Sequence, residues 1–583
     1  MRHLKLMLCS LVIAIVSLIG VDLYYQSDFH LNNELKKKIT FEPESAVLKN
    51  SSLNEDEENY EYEITGSNIM IELSSDFDSY SLRDMYINSG ETDYDFILSE
   101  IRSEAKSYYT ELRSEFADKY HLDIYKEFSS PFVNIHSDKV LEDVNDLDNN
   151  LKKAILDSDV ICSFISKDLT YTCFDGGGGG GGDPYPDKET PSGFLGKKEV
   201  LEKINASNTD LDGSGINIGI FEVCDNSGKL GLPNTSYLYG LSVQKRGDNG
   251  EFSSHATAVT KCVSWLAPKS NYYCGSVDTE EQGNTKRYEA TLNWLLEKQI
   301  NVINMSFSTY IENTERQFDM YAKDNFISLV VSAGNNSYCV TTPGICYNVI
   351  TVGATNVECT DRADFSCYRV PYSIAKPNIM APGEKIFFGG SITNNGKTYD
   401  SGTSFSAPIV TGAVAQLMQK RPILKLYPEA VQAVLYNTAN QSMLASHDKY
   451  AGFDTENGAG MLDVKKALDN IFNYNLRTLT SNDYYKKTIT MANIRVEAGQ
   501  TLNVNLNWLI SYDDIEKKKL MTDFDLYVYN SDGETISITN STYNNSELAR
   551  IPITKSGNYQ ICLYQFDSIK NPIEHIALAW SIT

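Results

Sequence analysis

Gly402-Thr403-Ser404-Phe405-Ser406-Ala407-Pro408 sets a serine between small residues at the mouth of the apolar run Ile409 to Met418, which reads as a buried helix. Gly402 lets the backbone turn sharply and come close to a bound molecule. The start of a helix offers unpaired N–H groups and a positive dipole end that favour developing negative charge. That is a setting for acyl transfer. A serine or threonine that merely caps a helix is the competing reading; it suits an isolated Gly-Thr-Ser better than seven residues followed by a matching helix.

A neutral hydroxyl is a weak nucleophile, so a base, an acid and an oxyanion donor must come from other segments. His255, one of seven histidines, follows the polar loop Asn249 to Ser254 and opens the small-residue run His255-Ala256-Thr257-Ala258-Val259-Thr260, suited to a tightly packed helix. A lone histidine is usually structural, so its role as base rests on its place in the set. The apolar strand Ile218-Gly219-Ile220-Phe221 ends in Glu222, which places a carboxylate at the carboxyl edge of a parallel sheet, where sites of open α/β folds gather. Leu329-Val330-Val331-Ser332-Ala333-Gly334-Asn335 is a second buried strand delivering an amide side chain. Asn335 can donate to an oxyanion, or close a turn with Asn336.

With these residues in view the chain resembles the subtilisin-like serine proteases, in which acid, histidine, asparagine and serine occur in this order. The resemblance runs from about Leu201 to about Phe472, roughly half of the chain. Val302-Ile303-Asn304-Met305-Ser306-Phe307-Ser308 resembles the strand that pairs with substrate backbone, and Lys376-Pro377-Asn378-Ile379-Met380-Ala381-Pro382-Gly383 the segment before the nucleophile. Val349 to Ala354 and Ala363-Asp364-Phe365-Ser366 match too. The resemblance implies that His255 takes the Ser404 proton and passes it to the leaving amine. It further implies that Glu222 orients and balances the imidazole, and that Asn335 with the Ser404 N–H holds the oxyanion. Ser306, Phe307, Ser308, Ser332 and Gly334 would border the substrate.

The family's acid is normally aspartate, and Glu222 is one methylene longer. Asp225 is the rival acid, but it lies past the strand end, and the carboxylate must reach the imidazole. Ala256 stands where a glycine usually follows the histidine, and Ser308 replaces a glycine along the groove, narrowing it. None of these changes removes a proton-transfer group, which favours an active endopeptidase over the alternative, a catalytically dead surface adhesin built on the same fold.

The elements that must position these residues predict a multidomain α/β protein, and a chain of 583 residues with 42% hydrophobic content is long enough for several cores. Residues 1–22 read as a signal peptide or amino-terminal anchor: Arg2 and Lys5 precede the apolar run Leu6 to Val21. Residues 23–66 are a polar spacer. Within 67–175 the pattern is strand, helix, strand, strand, helix, strand: Ile69–Leu73; a helical face of Ile97, Ile101, Ala105, Tyr108, Leu112 and Phe116; Ile124–Phe128; Phe132–Ile135; a face of Val140, Val144, Leu147, Leu151 and Ile155; and Val160–Ile165. That order specifies a ferredoxin-like α+β domain, and its position resembles that of an inhibitory propeptide, with the exit near Thr172 to Asp175 as first substrate. The linker 176–190 contains the unbroken glycine run Gly176 to Gly182, easily nicked.

Residues 191–474 hold the catalytic domain, expected as a doubly wound, mostly parallel sheet flanked by helices. Period-two apolar positions in 475–583, such as Leu502, Val504, Leu506 and Trp508, predict an antiparallel β-sandwich.

Eleven cysteines include Cys339 with Cys346, Cys359 with Cys367 and Cys162 with Cys173, spaced like small disulfide loops of an oxidising compartment. Cys224 and Cys262 flank the acid and base segments, and a free thiol there would make the site sensitive to oxidation. No spacing argues for zinc and no cofactor is required. Asp523, Asp525 and Asp532 are candidates for structural calcium, although carboxylates near turns are more often simply solvated. A net charge of −26 argues against nucleic acid or anionic membrane as a partner. The expected partners are protein or peptide substrates and the chain's own propeptide, in a secreted or extracytoplasmic setting, with membrane contact only through the amino-terminal segment if uncleaved.

Overall fold

The computed structural model describes residues 39–41, 67–137, 139, 141–167, 189–223, 231–247, 252–277, 284–308, 315–337, 339–368, 374–390, 398–443, 452–480, 487–512, 519–570 and 573–583. The leader, most of the spacer, Cys173, the glycine run, Cys224 and Asp225 lie outside the described residues, as does the side chain of Cys162. The chain falls into two compact units. One takes residues up to Ser75 with 111–126 and 131–168; the other takes 76–110, 127–130 and 169–583.

The smaller unit is built on a four-stranded sheet in the order Ile39–Phe41, Val160–Lys167, Ser67–Leu73, Phe132–Ser137. Three of the four predicted strands pair in this sheet, Ser67–Leu73 running antiparallel to both of its neighbours. Two differences are informative. Ile124 to Phe128 is not a strand, and Ile39–Phe41, read as spacer, instead pairs in parallel with Ser163 to Ile165. The second predicted helix is interrupted. A one-turn element Val144–Asp146 precedes the helix Asn149–Ile155, because Asp143 and Asp148 cap fresh starts; Asp148 Oδ1 accepts from the N–H groups of Asn150 and Leu151, each at 2.8 Å. Ile69, Ile71, Val133, Leu151, Ile155 and Ile165 still share one core, as the apolar pattern requires.

The larger unit contains a seven-stranded, all-parallel sheet in the order Ile379–Pro382, Val349–Thr355, Ser328–Ser332, Val302–Met305, Asn217–Val223, Asn271–Val277, Ser242–Lys245. The chain leaves the first-formed strand Asn217–Val223 for the nearer edge, returns, and then builds the other side of the sheet. The carboxyl end of that strand is therefore the switch point, where a crevice must open. The near-continuous apolar strands are buried as a doubly wound sheet demands. The helix Thr403–Lys420 packs along four of them and against the helix Ser254–Ser264.

Two four-stranded antiparallel sheets complete the unit, one ordered Tyr474–Thr480, Ile573–Ile582, Thr501–Trp508, Ser546–Pro552, the other Lys487–Val496, Gly557–Gln565, Phe524–Tyr529, Thr535–Thr539. Leu502, Val504, Leu506 and Trp508 enter the sandwich core, as their alternation predicts. The intervening Asn503, Asn505 and Asn507 are equally buried, because the outer face of this sheet packs on the helix Pro428–Thr438. Asn507 Nδ2 donates to Gln432 Oε1 at 3.3 Å, while Asn505 Nδ2 donates to Ser546 Oγ at 2.9 Å and Glu547 O at 3.0 Å. The polar residues between the apolar positions are thus interface residues, and Asn505 is bonded on both sides of its amide, its Oδ1 accepting from Ser546 Oγ at 3.3 Å.

The cysteine expectation needs correction. Cys339, Cys346 and Cys359 are free thiols, so neither small loop is closed by a disulfide. Each thiol has a local environment instead: Cys367 Sγ donates to Asn336 Oδ1 at 2.7 Å, and Thr355 Oγ1 donates to Cys359 Sγ at 3.3 Å. Cys262 is buried, and burial pushes its thiol pKa far up, so it is not the oxidation-prone thiol expected beside the base. Among the described residues no group of three or more His, Cys, Asp or Glu side chains could hold a metal ion. Asp532, a calcium candidate, pairs with Lys555 at 2.6 Å.

Candidate active site

Glu222 occupies the second-last position of Asn217–Val223, at the switch point, and is 1% exposed. Gly231 passes so close that an added Cβ would lie 2.7 Å from Glu222 Cβ and 2.5 Å from Val223 O. Its backbone N–H donates to Ser276 Oγ at 2.8 Å, so a glycine the sequence reading did not single out roofs the acid.

His255 is the second residue of Ser254–Ser264. Ser253 caps that helix, its Oγ accepting from the Ala256 N–H at 3.1 Å. The small residues after the histidine are buried against Thr403–Lys420, which explains why the run contains no bulky side chain. His255 Nδ1 lies 3.1 Å from Glu222 Oε2, with both side chains almost wholly buried. An ionised carboxylate can only accept, so this contact puts a proton on Nδ1 and leaves Nε2 as the basic nitrogen. Burial pushes the Glu222 carboxyl above its ordinary range. The charge and hydrogen bond of His255, together with a bond from the Ser306 backbone, pull it part of the way back.

Ser404 is the second residue of Thr403–Lys420, and the following Phe405 ring lies 5.9 Å from the His255 ring. Ser404 Oγ donates to Ser306 O at 3.3 Å, and Ser306 Oγ donates to Ser404 O at 2.9 Å. The second bond has a cause in the sequence. In an α-helix the Ser404 carbonyl would accept from the N–H of the residue four positions later, which is Pro408, and proline has none. Ser306 supplies the missing donor, and Asn304 Nδ2 in turn donates to Ser306 Oγ at 2.8 Å.

Asn335 follows the strand Ser328–Ser332. Its Oδ1 accepts from the Thr403 N–H at 2.9 Å and from Thr403 Oγ1 at 2.8 Å, which fixes the amide and makes Nδ2 its donor end. A Cβ on Gly402 would lie 3.2 Å from that Nδ2, so Gly402 keeps the approach to the amide open. Gly334 has φ +104°, a conformation suited to glycine, and its N–H donates to Thr403 Oγ1 at 3.1 Å. Thr403, which the sequence reading left unassigned, thus ties the asparagine strand to the serine helix.

The segments chosen from sequence converge: Glu222 contacts His255, the Ser306 backbone contacts Glu222, Ser306 holds Ser404, and Thr403 holds Asn335. Of the expected substrate-border residues, Ser308 Oγ would lie 3.7 Å from a Cβ on Gly334, so the two face each other. Ser332 lies at the carboxyl end of its strand, 3% exposed. Phe307 points into the core, its ring 5.4 Å from that of Phe221, and offers only its backbone. The rival acid Asp225 lies outside the described residues.

Residues 251–460 match the peptidase S8 profile, described as the subtilase family, and residues 492–565 match the bacterial pre-peptidase C-terminal domain. The first interval contains His255, Asn335 and Ser404 and begins downstream of Glu222, so the acid rests on geometry. A protein of Deinococcus radiodurans named as a probable subtilase-type serine protease is 28% identical over 246 residues, 38% of this chain and 33% of that protein. Fervidolysin of Fervidobacterium pennivorans is 34% identical over 196 residues, 30% of this chain and 26% of its own length. An extracellular serine proteinase of a Thermus species is 29% identical over 180 residues, 30% of this chain and 42% of its own. The matches therefore span between a quarter and about two fifths of these relatives. The solved structure of fervidolysin aligns with 91% of this chain and 75% of that chain at 17% identity and a TM-score of 0.43.

Proposed function

We propose that this chain, which carries a subtilase domain followed by a bacterial pre-peptidase C-terminal domain, is a serine endopeptidase whose nucleophile is Ser404. The observation that carries the reading is the buried 3.1 Å contact between Glu222 and His255, set beside the helix start that presents Ser404. In this reading His255 Nε2 accepts the Ser404 proton as Oγ attacks the scissile carbonyl. Glu222 keeps the proton on Nδ1 and balances the imidazolium, and the imidazolium then protonates the leaving amine. Asn335 Nδ2 and the Ser404 N–H donate to the tetrahedral oxyanion, stronger there than to the ground-state carbonyl. Glu222 is the acid, its extra methylene accommodated within hydrogen-bond reach of the ring. Ser306, Ser308, Ser332 and Gly334 border the substrate backbone.

The substrates are proteins or peptides. The chain is made as a zymogen that processes itself, with inhibition supplied from within residues 67–175, and it works outside the cytoplasm, in line with a relative named as extracellular. Mass mapping of the mature amino terminus tests this. Wild type is expected to show a junction near the glycine run, and Ser404→Ala none. Identical processing in both would contradict the reading.

A further inference from the structure

The helix Ser79–Asn88, capped by Asp78, and residues 94–110 of the helix Tyr94–Tyr120 fold with the catalytic unit, although they lie upstream of the glycine run in the stretch expected to be shed. Their contacts are those of a protein interior. Arg83 is fully buried. Its guanidinium lies 4.2 Å from the ring centre of Tyr427, 4.7 Å from Tyr80 and 5.0 Å from Phe326; it donates to Leu426 O at 3.0 Å and stands 3.8 Å from Glu429 Oε1. Glu429 opens the helix Pro428–Thr438 and is itself fully buried. Burial pushes its carboxyl up to about 7, and Arg83 is the charge that most opposes the shift.

The same segment reaches the carboxyl-terminal sandwich. Tyr80 stacks on His575, ring centres 4.5 Å apart and planes 12° apart, and His575 belongs to the strand Ile573–Ile582. Further along, Arg102 donates from Nε and Nη2 to Asn325 O at 3.2 and 3.0 Å, 3% exposed. Ile97, Leu98 and Ile101 belong to the apolar cluster that also holds Phe405 and Val259, neighbours of the nucleophile and the base.

A detachable inhibitor must be able to leave a surface that water can cover. Withdrawal of residues 76–110 would instead leave the fully buried Glu429 side chain without the guanidinium it faces. It would also bare the aromatic cage and one face of His575. We propose that residues 76–110 are a permanent layer of the active catalytic unit, clamping the catalytic sheet domain to the carboxyl-terminal sandwich, and are not shed with any inhibitory segment. The surface formed by Phe326, Tyr427, Glu429 and His575 thus has a resident partner, an arginine-bearing helix of its own chain. The inference draws on the proposed self-processing only for the timing of the cut.

The test separates the two. In the Ser404→Ala chain, a site for an added sequence-specific protease replaces part of the glycine run, and the cut protein is chromatographed in physiological salt and in 1 M salt. Co-elution of the amino-terminal fragment with the fragment beginning near residue 189 in both buffers is expected. A folded carboxyl-terminal fragment that elutes alone, with the melting temperature of the uncut chain, would overturn the proposal. Arg83→Met in the same background should release the amino-terminal fragment, or lower the melting temperature by several degrees; no change in either assigns the hold elsewhere and contradicts the cage. In wild type, enzyme labelled at Ser404 by a fluorophosphonate should yield peptides of 76–110 in equimolar amount, and labelled enzyme lacking them overturns the proposal. Absence of labelling would refute the protease reading and leave the cut-chain result to decide this one.

Discussion

Glu222 beside His255 and Glu429 beside Arg83 are both buried carboxylates facing a basic side chain, yet they are built for opposite ends. The first pair touches at 3.1 Å at the end of a strand, and its basic member is an imidazole that can take and return a proton. The second stands at 3.8 Å inside an aromatic cage, and its basic member is a planar guanidinium that stacks on the rings around it. Burial raises the pKa of both acids. In the proposed reading, what distinguishes a reacting pair from a clamping pair is therefore the chemistry of the partner, imidazole against guanidinium, and the element that presents it.

Substitutions at the two pairs should separate accordingly. Glu222→Gln keeps the shape but removes the charge that balances an imidazolium, so kcat should fall about four orders of magnitude with little change in melting temperature; a fall below tenfold would make Asp225 or another group the acid. Asn335→Leu should lower kcat by about 10²- to 10³-fold at nearly constant KM, and a change mainly in KM would reassign it to substrate binding. Ser306→Ala removes the donor that replaces the missing Pro408 N–H, and should cost about tenfold in kcat and 1–3 kcal/mol of stability through the stranded Ser404 carbonyl. Adding Pro408→Ala restores a backbone donor and should recover most of both; no recovery would mean that Ser306 acts otherwise.

The clamp should appear in stability instead of rate. Because Glu429 titrates near 7 when folded and in the ordinary carboxylate range when unfolded, the unfolded chain loses its proton first as pH rises. Stability from this group is then full below about pH 4.5 and declines toward pH 7, by about 3 kcal/mol at most. Glu429→Gln should flatten denaturant-derived stability between those limits while leaving the pH dependence of kcat unchanged. An unaltered stability slope would contradict the shifted carboxyl.

The contact between Glu222 and His255 that the proposal rests on was legible because backbone periodicity and side-chain chemistry agree there. Apolar strands end in Glu222 and near Asn335, and a small-residue helix opens at His255. The clamp was not legible. Arg83 sits in a helix of mixed polarity, Ser79–Asn88, that has no clean apolar face, and its partners are hundreds of residues away. The alternation in Thr501–Trp508 likewise does not show that a helix covers the side bearing Asn503, Asn505 and Asn507. Ile124 to Phe128 failed as a strand although Ile124 and Phe128 are buried, because apolar residues at the two ends of a segment report burial and not ladder pairing. Gly231 and Thr403 carry no chemical signal of their own and become significant only through the atoms beside them.

The most direct test is the intact mass of the processed protein quenched during turnover of an activated ester. A mass increase equal to the acyl group, localised to the peptide bearing Ser404 and absent from Ser404→Ala and strongly reduced in Glu222→Gln, is the predicted result. Turnover without an adduct at Ser404, or an adduct that forms equally fast in Glu222→Gln, would contradict the account.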